Sequence, residues 1–305
     1  MAIGALARRT GVPVDTLRAW ERRYGVLHPM RTHGRQRRYC GADMERVLWL
    51  AARVAEGQRI SDAVAALNAL EGAYDTAPGV NGPTTGFASH LAAAARQGDA
   101  SRLDADLDRI FAALPLEQAM DLMVFPALAE LGRRWADGEQ VVAAEHLLSG
   151  AAERRLAARL SAARRPTGPV AIVACPAGER HAVGALCLAV LMAQDGWRVA
   201  FLGADMPLDE ADAVAHEHRA RACVAVCTNP GSAMAAVAEL AHLPNARAWV
   251  LAGPDAPDPG LNGLPVWGPS LSAARAAAAG RAAGVGDAWP PARDQPPATT
   301  NGTGE

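Results

Sequence analysis

The spacing of apolar residues changes once, near the middle of the 305-residue chain. Up to about residue 164, apolar residues recur every three to four positions, which is the period of amphipathic helices. Beyond Arg165-Pro166, short apolar runs such as GPVAIVACP alternate with helical stretches, a pattern typical of buried parallel strands joined by helices. The chain is therefore predicted to be multidomain, with a helical first part followed by a doubly wound, Rossmann-like α/β domain.

A stretch rich in glycine, proline and threonine, GAYDTAPGVNGPTTGF, interrupts the helical part. Before it, short helices are expected at about 3–10, 14–23, 43–57 and 62–70. After it, only short breaks separate four longer helices at about 88–97, 100–113, 116–135 and 139–164, which favours an antiparallel bundle. We predict five parts: a helical head at 1–71, a linker at 72–87, a four-helix bundle at 88–165, the α/β domain at 166–283 and a disordered tail at 284–305.

Charge is distributed unevenly between the head and the rest of the chain. Residues 1–70 carry 12 arginines against 6 acidic residues, a balance of +6. Because the whole chain has a net charge of −2, the remainder carries −8. The chain contains no lysine, so a compositional bias towards arginine contributes to this balance. A basic head on an acidic body favours a polyanion such as nucleic acid as the partner of the head.

The sequence does not favour the membrane, secretory or disulfide-bonded classes. No run approaches the roughly 20 apolar residues of a membrane helix, and the start, MAIGALARRTGV, lacks the long apolar stretch of a signal peptide. The number of cysteines is five, which is odd, and none are spaced as Cys-x-x-Cys. We therefore expect a cytoplasmic protein with no membrane partner and with buried, unpaired thiols.

The head contains the stretch IGALARRTGVPVDTLRAWERRYGVLHPMRTHGRQRRY at residues 3–39. This stretch, above all TLRAWERRYG, resembles the winged helix-turn-helix of the MerR family of transcription regulators. The resemblance implies a recognition helix near 14–23 that enters the major groove of promoter DNA. It also implies a wing near 31–39 that touches the phosphate backbone. The family's wing usually has Gly-Gly-Tyr-Arg, whereas this chain has His33-Gly34-Arg35-Gln36-Arg37, so the wing departs from the family pattern.

Physical chemistry supports this assignment of the head. Arginines on a helix can supply phosphate contacts and base-edge hydrogen bonds, and arginines of the loop add charge whose contribution falls steeply with salt. The candidate DNA-binding residues are Arg18, Trp20, Arg22, Arg23, Tyr24, Arg35, Arg37, Arg38 and Tyr39. The alternative is an arginine-rich surface that only meets solvent. Trp49 is expected in the core of the third helix.

A histidine follows the first predicted strand of the α/β domain. Glu179, His181 and Gly184 form Glu-x-His-x-x-Gly where the strand ends and a helix begins. Ligands bind at this edge of open α/β sheets. A histidine there can ligate a metal through one ring nitrogen while the other donates to a carboxylate two residues before it. The alternative is a helix-capping or surface histidine. His216 and His218 lie in a polar helix and are expected to be solvated.

The Glu-x-His-x-x-Gly pattern resembles the Asp-x-His-x-x-Gly motif of the cobalamin-binding domain of methionine synthase and the mutases. The resemblance implies that His181 is the lower axial ligand of cobalt, with a glutamate as in other cobalamin-dependent regulators. In that family a serine follows the third strand and Gly-Gly follows the fourth. Here those places hold Cys227-Thr228 and Ala252-Gly253, so the Thr228 hydroxyl would take the role of the serine. The candidate cofactor-binding residues of this domain are Glu179, His181, Gly184, Cys227, Thr228 and Gly253.

One turn of the bundle gathers residues of unusual chemistry. In RRWADGEQVVAAEHLL, Trp135 precedes an Asp-Gly turn, and Glu145 and His146 follow in the next helix. Because the turn joins two antiparallel helices, all three residues are expected at one end of the bundle. A tryptophan ring there could cover an adenine, and Glu145 could bond ribose hydroxyls. The alternative is ordinary bundle core with surface charge.

Tryptophan, nine residues, then Glu-His is also the pattern of the CarH and LitR group of light-sensing MerR-type repressors. Head, bundle and cobalamin domain occur here in that group's order, and the resemblance covers about residues 3–280. It implies adenosylcobalamin bound in darkness, with the bundle over its upper face and Trp135, Glu145 and His146 as binding residues. It also implies a DNA-bound homo-oligomer, dimer or tetramer, that breaks apart when light cleaves the cobalt–carbon bond.

One residue departs from that group. Its best-known members have a second histidine directly after the tryptophan, which ligates cobalt after photolysis, whereas this chain has Ala136. One alternative is therefore a regulator that senses cobalamin level or another ligand without photochemistry. Another is a regulator that has lost cobalamin and uses the α/β domain to bind a partner or to dimerise. A cobalamin mutase or methyltransferase subunit is disfavoured, because the head is basic and the chain has no substrate-binding barrel. We therefore expect a regulator and not an enzyme.

Overall fold

The computed structural model describes residues 1–31, 37–55, 57–75, 87–243, 248–254, 256, 265–268 and 270–282. The chain divides into two compact units, Met1–Ala158 and Arg159–Glu305. The first unit holds the head and most of the bundle, and the second holds the α/β domain. None of the described helices combines the length and the apolar character needed to cross a membrane.

The head consists of four helices and a two-stranded antiparallel ribbon. Its elements are α1 (Ile3–Thr10), α2 (Val14–Tyr24), β1 (Met30–Arg31), β2 (Arg37–Arg38), α3 (Gly41–Ala55) and α4 (Ile60–Asp75). Gly11 and Gly25 end the first two helices with φ of 70° and 65°, a left-handed conformation that glycine adopts without steric penalty. The helix-turn-helix and ribbon are the elements that the resemblance to the MerR family implied.

Each helix of the head buries at least one large apolar side chain. Leu6, Leu17, Leu50 and Leu67 have no exposed surface, and Trp49 is buried as predicted. The guanidinium of Arg53 lies over the ring of Trp49, 4.9 Å from its centroid. Arg53 also donates a hydrogen bond to the backbone carbonyl of Ala113, which ties the head to the bundle within the first unit.

The last helix of the head is longer than predicted. We expected a helix ending near residue 70 and a linker from residue 72, but α4 continues to Asp75. A single glycine such as Gly72 costs only about 1 kcal/mol relative to alanine inside a helix, and Leu70 and Ala73 beside it favour the helix. Residues 76–86 of the predicted linker lie outside the described residues.

Four helical segments form the bundle at positions close to those predicted. They are α5 (Phe87–Arg96); α6 (Ala100–Ala113); α7 (Leu116–Ala119) with a π-helical turn (Met120–Val124) and α8 (Phe125–Ala136); and α9 (Val142–Ala162). Asp99 caps α6, because its Oδ1 accepts the backbone N–H of Arg102 at 2.9 Å. The core contains the fully buried residues Leu91, Leu103, Leu107, Leu131 and Leu148.

The third segment differs from the continuous helix predicted over 116–135. Its π-helical turn comes just before Pro126. Proline has no N–H to donate to the carbonyl four residues earlier, and its ring clashes with that carbonyl in a regular α-helix. The wider turn relieves this conflict, and it packs against α3 of the head.

The second unit contains a four-stranded parallel sheet whose strands alternate with helices. Its elements are β3 (Val170–Pro176), α10 (Val183–Gln194), β4 (Arg198–Met206), α11 (Leu208–Glu217), β5 (Ala222–Val226), α12 (Pro230–Leu240), β6 (Trp249–Ala252) and α13 (Leu271–Ala282). The strand order is β4-β3-β5-β6, and every residue of β5 is buried, as in a sheet covered on both faces. The predicted α/β fold is therefore confirmed. The winding direction changes at β3, so the carboxyl ends of β3 and β5 border the crevice where such folds bind ligands.

The end of this domain differs from the predicted alternation. Within the described part of the expected strand PVWGPS, the pairing is limited to a parallel bridge between Val266 and Leu251. Pro265 has no N–H for a ladder, and Gly268 has a φ of 93°, so an extended strand does not continue on either side. The weak helix expected before this segment lies mostly outside the described residues, as does the predicted tail.

Candidate functional site

The carboxylate of Glu179 organises the edge of the sheet where β3 and β5 end. Glu179 lies in the loop between β3 and α10, and it is fully buried. Its Oε1 accepts a hydrogen bond from the backbone N–H of His181 at 3.0 Å and contacts the imidazole Nδ1 of His181 at 2.8 Å. Glu179 therefore fixes both the backbone and the ring of His181.

The second oxygen of Glu179 is held by residues that follow β5. Oε2 accepts hydrogen bonds from the backbone N–H of Thr228 at 2.7 Å, the side-chain amide of Asn229 at 2.9 Å and the hydroxyl of Ser232 at 2.8 Å. Asn229 also caps α12, because its Oδ1 accepts the backbone N–H of Ser232 at 2.8 Å. One carboxylate thus joins the carboxyl ends of two neighbouring strands.

These donors determine the charge of Glu179 and the tautomer of His181. Burial alone would raise the pKa of Glu179, but the hydrogen bonds from Thr228, His181 and Ser232 outweigh it and lower the pKa from 4.5 to about 2. The ionised carboxylate can only accept hydrogen bonds, so Nδ1 of His181 carries a proton. In the neutral imidazole, this leaves a lone pair on Nε2. The imidazole is 66 % exposed, so this lone pair is accessible to a metal ion.

Thr228 offers an unused hydroxyl at the same edge. Its Oγ1 is buried and has no hydrogen-bond partner within the part of the chain that the structure describes. Buried hydroxyls are normally bonded, so this atom marks a place where a bound group could complete the set. Gly184 is half-buried in the first turn of α10. An accessible imidazole nitrogen and an unpartnered hydroxyl together fit the lower side of a corrinoid.

The structure corrects the prediction for Cys227. Its side chain is fully buried and belongs to the apolar core of the α/β domain, so the thiol is not available to a cofactor. Gly253 lies against the same residue, because a Cβ at Gly253 would come within 2.1 Å of the Cys227 carbonyl oxygen. Close packing of the backbone therefore requires glycine at 253, and contact of Gly253 with a cofactor stays a prediction.

Trp135, Glu145 and His146 lie at the surface of one end of the bundle. Trp135 belongs to the last turn of α8 and is 64 % exposed, and a short turn leads to α9, which begins at Val142. Glu145 is half-buried in the first turn of α9, and its Oε2 lies 2.7 Å from Nδ1 of the exposed His146. An exposed indole next to a turn is available to a flat ligand, and core packing does not explain it.

Ion pairs and hydrogen bonds of charged residues stabilise the turn between α8 and α9. Glu130 accepts hydrogen bonds from Arg134 at 3.0 Å and from the hydroxyl of Ser89 at 2.9 Å. Arg134 also pairs with Glu139 at 3.1 Å, and Glu139 lies 3.5 Å from Arg96. This network joins α5, α8 and the turn, so it limits how far the end of α8 that carries the tryptophan can move.

The head presents its arginines on one helix and keeps its aromatic residues inside. Arg18, Arg22 and Arg23 of α2 are exposed. Trp20 is only 8 % exposed, which corrects its assignment as a DNA contact, since a buried indole packs the head together instead. Tyr24 is half-buried at the end of the same helix.

The second strand of the wing is attached to α2 by a glutamate. Glu21 accepts a hydrogen bond from the hydroxyl of Tyr39 at 2.6 Å and pairs with Arg37 at 2.8 Å. Burial and the bond to Glu21 raise the pKa of the Tyr39 hydroxyl. Tyr39 is 2 % exposed, so it too is a core residue and not a DNA contact. Arg38 is exposed, and Arg35 lies outside the described residues.

Comparison with known proteins gives matches to both the head and the bundle. A family described as "MerR HTH family regulatory protein" matches residues 1–70, and one described as "B12 binding domain" matches residues 88–160. The HTH-type transcriptional repressor CarH of Myxococcus xanthus is 34 % identical over 215 residues, which are 68 % of this chain and 72 % of that protein. The repressor CarA of the same organism is 35 % identical over 68 % of this chain and 69 % of that protein.

The chain belongs to the CarH and CarA family of MerR-type transcriptional repressors. The family assignment made from the sequence is therefore confirmed: a transcription regulator with a B12-binding domain, not an enzyme. The fold has an independent match in the monomethylamine corrinoid protein of Methanosarcina barkeri, with a TM-score of 0.52 and 13 % identity over 62 % of this chain and 95 % of that protein. At that identity the match concerns the fold alone.

The sequence predicted the pair Glu179 and His181 but not the residues that bind the Glu179 carboxylate. Asn229 and Ser232 were not predicted, although Asn-Pro-Gly-Ser directly after a strand is a recognisable helix start. The stretch also lies at the carboxyl end of the strand next to β3, which is the signal that could have linked it to Glu179. His216 and His218 are exposed, as predicted. Within the described residues, no group of three or more histidine, cysteine, aspartate or glutamate side chains could hold a bare metal ion.

Proposed function

We propose that this protein is an adenosylcobalamin-dependent transcriptional repressor that binds promoter DNA in darkness and releases it in light. The observation that carries the proposal is the exposed Nε2 of His181, held by the buried, ionised Glu179 near the unpartnered hydroxyl of Thr228. This arrangement supports a single protein ligand to cobalt, oriented by a carboxylate. The family supports the role as a DNA-binding repressor.

In the α/β domain, His181 would ligate cobalt through Nε2, while Glu179 would keep the proton on Nδ1 and prevent the ring from turning. The hydroxyl of Thr228 would bond to the nucleotide tail. Gly184 and Gly253 would let the tail approach the backbone closely.

In the bundle, the exposed ring of Trp135 would cover the adenine of the adenosyl group, and Glu145 would accept hydrogen bonds from the ribose hydroxyls. The cofactor, when bound, supplies a cobalt–carbon bond that light cleaves. After loss of the adenosyl group, Trp135 and Glu145 would no longer be held by it, and His146 would remain against Glu145. We propose that this change breaks the homo-oligomer, a dimer or a tetramer, on which tight DNA binding depends.

On the DNA side, Arg18, Arg22 and Arg23 would contact base edges and phosphates at the major groove, and Arg35, Arg37 and Arg38 would contact further phosphates next to it. Arg37 is already paired with Glu21, so its phosphate contact would be shared with that carboxylate. The protein would act in the cytoplasm, where bacterial promoters are accessible.

Ala136 favours a second candidate function, a sensor of cobalamin level without photochemistry. It occupies the exposed last position of α8, next to Trp135, and a methyl group cannot ligate cobalt after the adenosyl group has left. Such a sensor would bind cobalamin and change its DNA affinity, but illumination would not change its oligomeric state.

The deciding experiment compares absorbance spectra and size-exclusion profiles of protein loaded with adenosylcobalamin in darkness, before and after green light. DNA selected from a random library serves as the binding probe. The proposal expects a bound corrinoid, a light-dependent spectral change, a smaller particle and weaker DNA binding. A bound corrinoid with no change in size or DNA affinity would support the sensor instead, and the absence of any bound corrinoid would overturn both.

His181→Ala tests the ligand assignment in the same assay. We expect it to remove the imidazole from cobalt and to weaken cobalamin binding about 10- to 100-fold, the range for losing a group that ligates or orients at a metal site. His216→Ala, which removes an exposed histidine of α11, is the matched control and should behave as wild type. An unchanged corrinoid spectrum in His181→Ala would reject the assignment.

A further inference from the structure

Asp205 has a backbone conformation that aspartate rarely adopts. Its φ is 52°, and within the described residues the only other non-glycine residue with positive φ is Arg219, at 49°. L-residues in this region lose free energy to steric strain, which persists only where surrounding contacts enforce it. Asp205 lies near the end of β4, at the same edge of the sheet as His181.

The end of β4 is irregular, and this irregularity places Asp205 at this edge of the sheet. The pairing of β3 with β4 shifts twice, between Val173 and Ala174 and again between Ala174 and Pro176. Each shift adds one residue to β4 relative to β3. Bulges of this kind bend a strand and change the direction of its side chains, and they are common next to functional sites.

Asp205 binds the backbone of the loop between β3 and α10, residues 177–182, which we call the ligand loop. Its Oδ1 accepts the N–H of Gly178 at 2.7 Å, and its own N–H donates to the carbonyl of Glu179 at 2.9 Å. Gly178 has a φ of 81°, in a turn closed by the N–H of Glu179 and the carbonyl of Pro176. A left-handed residue of β4, Asp205, therefore meets a left-handed residue of the loop after β3, Gly178, through these hydrogen bonds.

The sheet order explains why this contact matters for His181. Strand β3 lies between β4 and β5, so the loop after β3 can be held from both neighbours. The residues after β5 hold the side chain of Glu179, as described above. Asp205, on β4, holds the backbone from which that side chain and His181 extend.

We propose that Asp205 is a positioning residue for the cobalt ligand His181. It fixes the backbone of the ligand loop from the β4 side, so that the side chains of Glu179 and His181 keep one orientation relative to each other. The assignment rests on the proposed function in taking cobalt as the metal that His181 ligates. The effect on the imidazole tautomer does not depend on the cofactor and can be measured without it.

Three variants separate the hydrogen bond from the backbone strain. Asp205→Gly removes the acceptor while keeping the left-handed conformation accessible, and Asp205→Asn keeps an Oδ1 acceptor on a residue that also tolerates this conformation. Arg219→Gly is the matched control, because it relaxes the same conformation in the turn before β5, at the opposite edge of the sheet.

The measurements are ¹⁵N NMR of the histidine rings in protein without cofactor, the dissociation constant for adenosylcobalamin, and the nitrogen coupling in the electron paramagnetic resonance spectrum of the cobalt(II) form. In wild type we expect His181 in one tautomer, protonated at Nδ1, and one coupled nitrogen. In Asp205→Gly we expect a mixture of tautomers, a loss of nitrogen coupling and about tenfold weaker binding, in the range for residues that orient metal ligands. Asp205→Asn and Arg219→Gly should match wild type within about twofold.

Two results would overturn the assignment: Asp205→Gly that keeps the wild-type tautomer and affinity, or Asp205→Asn that is as impaired as Asp205→Gly. A wild-type protein that takes up no corrinoid would reject the proposed function instead. In that case the histidine tautomers of the cofactor-free variants still decide whether Asp205 positions His181.

Discussion

A single carboxylate accounts for most of what is unusual in the α/β domain. Glu179 is buried, yet it stays ionised because five hydrogen bonds reach its two oxygens from His181, Thr228, Asn229 and Ser232. A buried charge without such donors would cost several kcal/mol. The same bonds leave Nε2 of His181 free, so the stability of this edge and the metal binding proposed for it have one origin.

The pKa of Glu179 predicts how acid acts on the second unit. A carboxyl whose pKa is lowered on folding adds stability that is complete above its unfolded pKa of 4.5 and disappears as the pH falls towards about 2. The shift corresponds to roughly 3 kcal/mol. Glu179→Gln removes this titration and presents an amide N–H₂ to donors, so it should destabilise the protein at pH 7 by about 2 kcal/mol and flatten the acid dependence.

The measurement is urea unfolding between pH 3 and 7, followed by a probe in the α/β domain. Glu239→Gln is the control, because this carboxylate also accepts backbone hydrogen bonds, but from Leu208 and Asp209 at the start of α11. If Glu179→Gln and wild type lose stability in parallel as the pH falls, another group controls the acid response.

At the scale of elements, ion pairs around the α8–α9 turn hold the helix end that carries an exposed aromatic ring. Salt bridges between partly exposed side chains are each worth little, but the set formed by Glu130, Arg134, Glu139 and Arg96 shares partners and spans two helices and the turn. Trp135 belongs to that helix end without contributing to the core. An exposed tryptophan held in this way is suited to binding.

Trp135→Ala separates binding from folding. Because the ring is exposed, we expect the free energy of unfolding to change by less than about 0.5 kcal/mol. The preference for adenosylcobalamin over methylcobalamin should fall, since only the former carries an adenine for the ring to cover. Competition binding in darkness measures the preference. Val142→Ala, an exposed apolar residue at the start of α9, is the control, and an unaltered preference in Trp135→Ala would remove the tryptophan from the site.

The elements were largely predictable, and the exceptions have local causes. Apolar periodicity gave the helices and the strand–helix alternation, because burial on one side or on both imposes those periods. It could not reveal the π-helical turn before Pro126, since a single wider turn shifts the apolar pattern by only about one residue. It also could not tell that Trp20 faces the core, because an aromatic residue among arginines suits either a DNA contact or a packed helix.

The candidate site was predictable only where it is local in sequence. Glu179 and His181 are two residues apart, so spacing alone pairs them. Asn229 and Ser232 are 50 and 53 residues from Glu179, and their contact depends on strand order, which no short pattern encodes. Asp205 depends in addition on two shifts of strand register.

At the scale of the whole molecule, charge and function are separated along the chain. The head carries +6 and the rest −8, so the positive surface is concentrated where α2 exposes its arginines. Opposite charge elsewhere discourages the acidic body from lying on DNA, and attraction of the head is long-ranged at low salt. The contact of Arg53 with Ala113 gives the bundle a direct connection to the head.

Arg18→Ala should weaken DNA binding about tenfold and reduce the slope of log affinity against log salt concentration by about 1, because one phosphate contact is lost. Arg18 is exposed and only loosely paired with Asp15 at 3.5 Å, so its removal should not unfold the head. Affinity measured at several salt concentrations tests this, with Arg154→Ala on α9 as a control outside the head. Equal slopes for wild type and Arg18→Ala would place the DNA contact elsewhere.

Under the proposed function, the hydrogen bonds on Glu179 also bear on how quickly the protein takes up its cofactor. All five donors belong to the polypeptide, so the imidazole is oriented before any cofactor arrives. Uptake then needs no slow rearrangement of the ligand loop, and preorganisation of this kind lowers the entropic cost of binding. Under the proposed function, vitamin that returns after a shortage would therefore meet a ligand loop that is already arranged, and repression would resume without a slow step in that loop.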